Sequence, residues 1–257
     1  MEHARLASRK VIEISGADRK HFLQGLITND IEKVSPTHAI YALMLTPQGK
    51  FLFDFFIIEK GESFLLDVEA GKKEEILKKL KMYKLRSSID IKETDYNVFQ
   101  IFSGDYPDVI VFNDPRSAGI LGKRAFAKEL RGTDKGEAYY DALRVEKVIP
   151  EGGKDLFAEK SFPLQNNMDE VGAIDYNKGC YVGQEVTARS KHRGVIRKRV
   201  QKFETSGAAK TGDAIKIEGK QVGEILSVSG NKMLALVDFE ELEKAPGKAE
   251  ANGTNLK

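Results

Sequence analysis

Residues 39–59 read AIYALML-TPQGK-FLFDFFIIE, and this stretch decides the fold class. Two apolar runs, 39–45 and 51–59, flank a short segment in which Pro47 and Gly49 favour a turn. Apolar runs of this length, bounded by turn residues, are typical of strands. The stretch therefore predicts a β-hairpin.

Strands and helices alternate on both sides of this hairpin. The hydrophobic period predicts further strands at 10–14, 63–68, 97–103 and 109–113, and helices at 17–26, 72–83 and 136–148. After residue 194 the pattern changes to short β-like segments at 195–203, 214–217, 221–229 and 232–239. We expect an α+β protein made of two αβ lobes (1–92 and 93–194), a small C-terminal antiparallel β-barrel (195–243) and a disordered tail (244–257).

Composition narrows the class of protein. The chain has 257 residues, 41% of them apolar, and a formal net charge of +2, which is typical of a globular protein. We find neither a long apolar run nor the core of a signal peptide, so we expect a cytoplasmic protein without a membrane segment. The single cysteine, Cys180, and four scattered histidines exclude an internal disulfide and argue against a metal site held by this chain alone.

The densest candidate for chemistry is the segment 178–185, KGCYVGQE. Cys180 stands between glycines and near several cations, which favour a thiolate over a thiol. A reactive, functional cysteine competes here with the commoner alternative, a small buried apolar residue. We find no phosphate-binding loop, no dinucleotide fingerprint and no nucleophile elbow elsewhere in the chain.

Positive charge is concentrated around this segment. Residues 178–202 contain eight lysines and arginines against one acid, Glu185. The run is either a solvated edge of the following β region or a guide for an anion or a protein partner. Nucleic acid is the weaker interpretation, because residues 182–201 carry no aromatic side chains for base stacking.

Two carboxylates also need an explanation. Asp54 lies inside the apolar run 51–59, where a carboxylate is costly unless it is hydrogen-bonded or meets a ligand. A satisfied structural aspartate and a site residue are both consistent with this position. Glu146, at the end of the helix predicted at 136–148, is by itself typical of an exposed helix acid.

The segment 178–185 followed by Arg189 resembles the marker of the YgfZ family of folate-binding proteins, K-G-C-[YF]-x-G-Q-E and a later arginine. This family is the bacterial counterpart of a mitochondrial iron–sulfur cluster assembly factor, within the superfamily of the glycine-cleavage T-protein (an aminomethyltransferase). The marker residues here are Lys178, Gly179, Cys180, Tyr181, Gly183, Gln184 and Glu185. The likeness extends to residues 22–30, 45–50, 83–86, 144–146, 163–167 and 194–199.

The resemblance implies a tetrahydrofolate-binding accessory protein that supports the assembly or repair of iron–sulfur proteins, particularly those with four-iron clusters. It implies αβ lobes that form a ring-like folate-binding body, with iron–sulfur carrier or client proteins as partners. By resemblance the functional residues are Cys180 and Asp54, and the folate-binding residues are Asn29, Asp54, Glu146, Arg189 and Arg197. One thiolate could serve as a single ligand of a shared cluster but cannot provide the full set of ligands for a cluster.

An alternative from the same superfamily is a folate-dependent aminomethyl or one-carbon transferase. The resemblance places Asp54 where the T-protein carries its catalytic carboxylate in an Asp-Asp pair, and here Phe53 stands in place of one partner. Only one charge then remains to orient and activate a folate nitrogen. The sequence thus predicts an aminomethyltransferase-like fold with a non-transferase role.

Overall fold

The computed structural model describes residues 1–194 and 196–257, without the side chains of residues 117, 118, 192 and 193. Its strands are β1 Glu2–Arg5, β2 Arg9–Ser15, β3 Ile40–Leu45, β4 Phe51–Lys60, β5 Ser63–Glu69, β6 Asp90–Glu93, β7 Asn97–Ser103, β8 Ile110–Asn113, β9 Lys123–Ala127, β10 Thr133–Asp134, β11 Lys198–Glu204, β12 Ala214–Ile217, β13 Lys220–Ser229, β14 Lys232–Asp238, β15 Glu250–Ala251 and β16 Thr254–Asn255. Its α-helices are α1 Arg19–Gln24, α2 Lys73–Lys84, α3 Glu137–Glu146, α4 Gln184–Arg193 and α5 Phe239–Lys244. The α+β prediction is confirmed.

The first sheet has the strand order β3-β4-β5-β2-β6, and each neighbouring pair is antiparallel. The predicted hairpin is its β3–β4 pair, in which Leu43 lies opposite Asp54. One face of the sheet packs against α1 and α2 through Phe22, Leu23 and Ile76. Since the strands are buried on both faces, they are almost continuously apolar rather than alternating.

The second sheet has the order β10-β1-β7-β9-β8. The second sheet packs on the face of the first sheet that lies opposite α1 and α2. In the core between the two sheets, Tyr41 and Phe56 meet residues such as Val98 and Phe126. Strand β1 belongs to this sheet through its antiparallel pairing with β7. The prediction that residues 1–92 form one lobe is therefore wrong for the first strand, because the chain crosses between the sheets before β2.

The C-terminal region is a six-stranded antiparallel sheet of order β11-β14-β13-β12-β15-β16. Its predicted antiparallel character is confirmed, while closure into a barrel stays a prediction. The predicted strand start at residue 195 lies outside the described residues.

The predicted disordered tail is wrong. Residues 250–255 form a small hairpin, and Leu256 is buried in the core of this region. The backbone N–H groups of Glu204 and Lys257 each donate to the carbonyl of the other residue, at 2.8 and 2.9 Å. Composition suggested disorder here, but three small or apolar side chains (Ala249, Ala251 and Leu256) are enough to fix the segment.

Candidate functional site

The segment 178–185 is anchored at two residues, Lys178 and Val182. The ammonium of Lys178 donates to the carbonyl oxygens of Gln24, Ile27 and Asn29 at 2.7, 2.6 and 2.9 Å, so its three donors are all used. Burial lowers the pKa of Lys178 to about 8, against the smaller opposing influence of nearby carboxylates. The N–H of Val182 donates to the carbonyl of Gly25 at 3.2 Å. The segment is thus clamped to the loop after α1.

Cys180 stands out from this clamp. The residue is exposed, and so is the neighbouring Gly179, whereas Lys178 and Tyr181 on either side are buried. Of the two interpretations of Cys180, the structure excludes the buried apolar residue. The Lys178 ammonium is committed to backbone carbonyls, which takes away one of the cations that the sequence placed beside the thiol.

Gly183 fixes how the segment packs on the β3–β4 hairpin. Its φ of +85° is a conformation that other residues adopt only with strain, and a Cβ atom there would lie 2.5 Å from the carbonyl oxygen of Thr46. The same Cβ would lie 3.2 Å from the Cα of Gly49, the turn glycine of the hairpin. Glycine is therefore required at this position, and helix α4 begins directly after it.

A cavity of about 570 Å³ lies beside the segment. Its wall is built from three parts of the chain, at residues 29–41, 113–119 and 172–177, the last leading directly into Lys178. Drug-sized ligands occupy cavities of about 300–1,000 Å³. The lining combines apolar and polar side chains, among them Ile40, Tyr41, Asn113, Ile174, Tyr176 and Asn177.

Asn29 lines the cavity as a clip between its walls. Its amide nitrogen donates to the carbonyls of Tyr41 and Gly172 at 2.8 and 2.9 Å, and its amide oxygen accepts from the N–H of Asp30 at 2.8 Å. The predicted folate-binding residue is thus at the cavity. Both of its amide hydrogens are already used in hydrogen bonds between parts of the cavity wall.

The charged pair on the rim of the cavity is Lys33 and Asp175, whose side chains lie 2.6 Å apart. Burial opposes ionisation of Asp175, but the hydrogen bonds from Lys33 and from the N–H of Asn177 outweigh it, and the pKa of the carboxyl is lowered. Sequence reasoning missed this pair. Its only signal was position, since Asp175 lies just before the marker segment.

Tyr176 belongs to the wall of the cavity but does not offer its hydroxyl to it. The hydroxyl is fully buried and has no hydrogen-bond partner among the described residues. Burial, with the neighbouring Asp169 carboxylate, raises the pKa of this hydroxyl well above its ordinary value, so the group is a neutral donor. A buried hydroxyl without a partner is costly, which favours an ordered water there.

Asp54 lies outside the lining of the cavity, and its exposed fraction is 1%. Arg9 donates to both of its carboxylate oxygens at 2.9 and 3.1 Å, and the hydroxyl of Tyr41 donates to one of them at 2.9 Å. The structural interpretation of Asp54 is therefore the one that its environment supports. The expectation that this carboxylate meets a ligand directly stays a prediction, and in the structure its partners are Arg9 and Tyr41.

Asp54 is part of a larger buried cluster between the two sheets. Arg116 lies 2.8 Å from Asp114 and 3.0 Å from Glu151, with all three side chains fully buried. Arg124 stacks on Phe56, with its guanidinium carbon 3.6 Å from the ring centre. We name these residues the charge cluster: Arg9, Tyr41, Asp54, Asp67, Asp114, Arg116, Arg124, Tyr140, Glu151 and Lys154.

Glu146 is also placed away from the cavity. Lys202 and Lys232 of the C-terminal sheet donate to its two oxygens at 2.9 and 2.7 Å. These two hydrogen bonds lower the pKa of Glu146 to about 2. This carboxylate joins α3 to β11 and β14, and the expectation that it faces a pterin stays a prediction.

Arg189 and Arg197 are exposed and do not belong to the lining of the cavity. Arg189 lies on α4, a helix that the sequence did not predict, because the residues 184–193 carry almost no apolar side chains with a helical period. Glu185 is exposed in the first turn of this helix, where a carboxylate suits the helix dipole. The cation nearest the cavity is instead Lys33.

The sequence of this chain is similar to two known domain families and to a group of known proteins. The family described as the GCVT N-terminal domain matches residues 6–103, and the family described as the CAF17 C-terminal beta-barrel domain matches residues 197–257. An iron–sulfur cluster assembly factor IBA57 homolog, mitochondrial, from Coccidioides immitis is 30% identical over 93% of this chain and 72% of its own length. The chain belongs to the IBA57 family. The predicted recognition, an IBA57/YgfZ-type member of the T-protein superfamily, is confirmed.

Two further members of the IBA57 family show the range of the likeness. The homolog from Pyricularia oryzae is 36% identical over 76% of this chain, which spans 55% of that protein. The human protein, iron–sulfur cluster assembly factor IBA57, mitochondrial, is 28% identical over 93% of this chain and 78% of its own length. These relatives are mitochondrial proteins, so the cytoplasmic expectation is contradicted.

A solved structure shows the same fold. The glycine cleavage system aminomethyltransferase T from Bartonella henselae superposes with a TM-score of 0.76 at 15% identity, over 99% of this chain and 84% of that one. At this identity the likeness concerns the fold alone. No helix within residues 1–194 and 196–257 has the length and apolar character needed to cross a bilayer. The same residues bring together no cluster of three or more histidine, cysteine, aspartate or glutamate side chains fit to bind a metal ion.

Proposed function

We propose that this protein binds tetrahydrofolate and supports the assembly or repair of iron–sulfur proteins, with Cys180 as the functional thiol. The carrying observation is the clamp of Lys178, which joins the wall of the 570 Å³ cavity to the segment that exposes Cys180. Membership in the IBA57 family supports the iron–sulfur part, since its named members are iron–sulfur cluster assembly factors.

The cavity suits a pteridine in size and in the chemistry of its wall. A pterin ring is flat and has hydrogen-bond donors and acceptors along its edges. Ile40 and Ile174 offer apolar contact, while the amides of Asn113 and Asn177 offer both donors and acceptors. Tetrahydrofolate would here supply binding energy and a one-carbon carrier, held by these residues.

The exposure of the thiol supports a role with a partner protein rather than inside the cavity. Cys180 is exposed, three residues after the cavity-lining Asn177. A single thiolate supplies one ligand, so a cluster passing through this site needs further ligands from a carrier or client protein. The iron–sulfur cluster is thus cargo, and the chain contributes one anchoring atom.

The transferase alternative receives less support from the geometry. The carboxylate that would activate a folate nitrogen, Asp54, is held by Arg9 and Tyr41 and is buried. It reaches the cavity only through the ring of Tyr41, which lines it. A base that exchanges protons with a ligand must lie within hydrogen-bond distance of it.

The test measures two properties of the same variant. We expect Cys180→Ala and Cys180→Ser to bind tetrahydrofolate within twofold of the unchanged protein in a calorimetric titration. Both variants should lose support of cluster insertion into a purified four-iron enzyme, whereas Ser206→Ala on the C-terminal surface should retain it. Full cluster insertion with Cys180→Ala would refute the role of the thiol, and no heat of binding in the unchanged protein would refute the folate.

A further inference from the structure

A basic and apolar surface lies at the end of helix α2. We name Lys78, Lys81, Met82, Leu85 and Arg86 the α2-end surface. All five residues are exposed, and the exposed fractions of the two apolar ones are high, 58% for Met82 and 87% for Leu85. Residues three and four apart are neighbours on a helix, so Lys78, Lys81 and Met82 lie on one side. None of the five lines the cavity or belongs to the marker segment.

The cations of this surface differ from those at the start of the same helix. There, Lys72 lies 2.9 Å from Glu75, and Lys73 contacts Glu93. Lys78, Lys81 and Arg86 have no ion pair with any residue in the described part of the chain. The positive charge at the end of α2 is therefore left for a group outside this chain.

Leu85 is unusual in its backbone as well as in its exposure. Its φ is +43° and its ψ is −108°, outside the regions that L-residues other than glycine normally occupy. The residue gains no burial in return, since 87% of it is exposed. Favourable contacts between cations and the helix dipole account for lysines in the last turn, but they do not account for a strained, exposed leucine beside them.

Leu85 also borders a shallow recess of about 710 Å³. Asp18, His21, Arg86 and Ser87 complete its lining. The Asp18 carboxylate accepts a hydrogen bond from the N–H of Ser88 at 2.6 Å, so it holds the turn that follows Leu85. The recess thus has a fixed floor beside an apolar side chain, with Arg86 on its edge.

We propose that the α2-end surface binds an acidic segment of a partner protein, which places an apolar side chain in the recess beside Leu85. The unpaired cations match a negatively charged segment, and Met82 and Leu85 give it an apolar contact. The proposal concerns other residues than the folate and thiol sites and stands without them.

The probe is a fluorescein-labelled peptide of 14 residues with six glutamates around a central Leu-Leu pair, followed by anisotropy on the full chain. We expect binding that weakens at least tenfold in Lys78→Glu/Lys81→Glu. It should be unchanged within twofold in the control Lys160→Glu/Lys210→Glu, which reverses two exposed lysines elsewhere. A peptide with glutamines in place of the glutamates should bind at least tenfold more weakly.

Leu85→Gly separates docking from folding. Glycine tolerates the positive φ, so this variant should be as stable as the unchanged protein or more stable, and should still bind the peptide at least fivefold more weakly. Three results would overturn the proposal: no binding of the peptide, equal loss in the control variant, or binding of phosphatidylglycerol vesicles without binding of the peptide.

Discussion

Two neighbouring regions of this protein hold polar side chains among apolar ones, and they differ in what those side chains face. In the charge cluster, Arg116 is paired with Asp114 and Glu151, and Asp54 is held by Arg9 and Tyr41, so the buried charges face one another. In the cavity, exposed polar side chains such as Asn113 and Asn177 face open space.

Tyr41 belongs to both regions, because its ring lines the cavity while its hydroxyl donates to Asp54. Burial, together with the Asp54 charge, raises the pKa of this hydroxyl, so it stays protonated as a donor. The comparison teaches that a buried carboxylate is not by itself a sign of catalysis. What distinguishes a binding region is open space lined by accessible polar groups, since buried polar atoms without a hydrogen-bond partner, such as the guanidinium nitrogens of Arg124, occur in the charge cluster too.

The largest effect on stability is expected when a charge is removed from the charge cluster. Arg116→Met removes the partner of two buried carboxylates, and we expect it to lower the free energy of unfolding by roughly 3–5 kcal/mol. Urea denaturation measures this loss. Arg189→Met on the exposed face of α4 is the matched control and should change the free energy by less than about 0.5 kcal/mol. Equal stability of the two variants would mean that the cluster is not a closed structural unit.

The next effect concerns the clamp. Lys178→Met leaves three buried carbonyl acceptors without their donor, so we expect the free energy of unfolding at pH 7 to fall by roughly 1–3 kcal/mol. Lys198→Met, an exposed lysine on β11, provides the comparison with the same substitution and should be near neutral.

The difference in stability between the unchanged protein and Lys178→Met should depend on pH, and the sign of this dependence follows from the pKa of Lys178. The pKa of Lys178 is lowered from 10.5 in the unfolded chain to about 8 in the folded protein. Between these values the unfolded state holds the proton more tightly, so stability rises with pH. Relative to Lys178→Met, the unchanged protein should therefore gain stability from pH 8 to pH 10. A difference that shrinks over this range would contradict the buried ammonium.

A smaller effect on stability is expected at Glu146, which belongs neither to the charge cluster nor to the cavity and so serves as a reference for both. Its pKa is lowered to about 2 by the hydrogen bonds from Lys232 and Lys202. A lowered carboxyl pKa contributes stability above the ordinary value of 4.5, and that contribution is lost as the pH falls toward 2. The stability difference between the unchanged protein and Glu146→Gln should thus be slight at pH 7 and fade across this range, as thermal melts can show.

Much of the fold could be predicted, because long apolar runs bounded by turn residues define β3, β4 and β5 locally. The helix α4 could not, since its polar residues carry no helical period of apolar side chains. Nor could the ordered tail, whose pairing partner Glu204 lies far back in the chain. At the site, the anomaly of Asp54 was visible in the sequence, but its partner Arg9 is 45 residues away. The clamp of Lys178 spans about 150 residues and left no local signal.

The most direct measurement is a calorimetric titration of tetrahydrofolate into the unchanged protein, Asn177→Ala and Glu146→Gln. One variant removes an exposed amide that lines the cavity, and the other removes the acid that joins α3 to the C-terminal sheet. A hydrogen bond of about 1 kcal/mol corresponds to a loss of roughly fivefold in affinity. We expect that loss in Asn177→Ala and an affinity within twofold in Glu146→Gln. The opposite ranking would place the folate at Glu146 and contradict the cavity as its site.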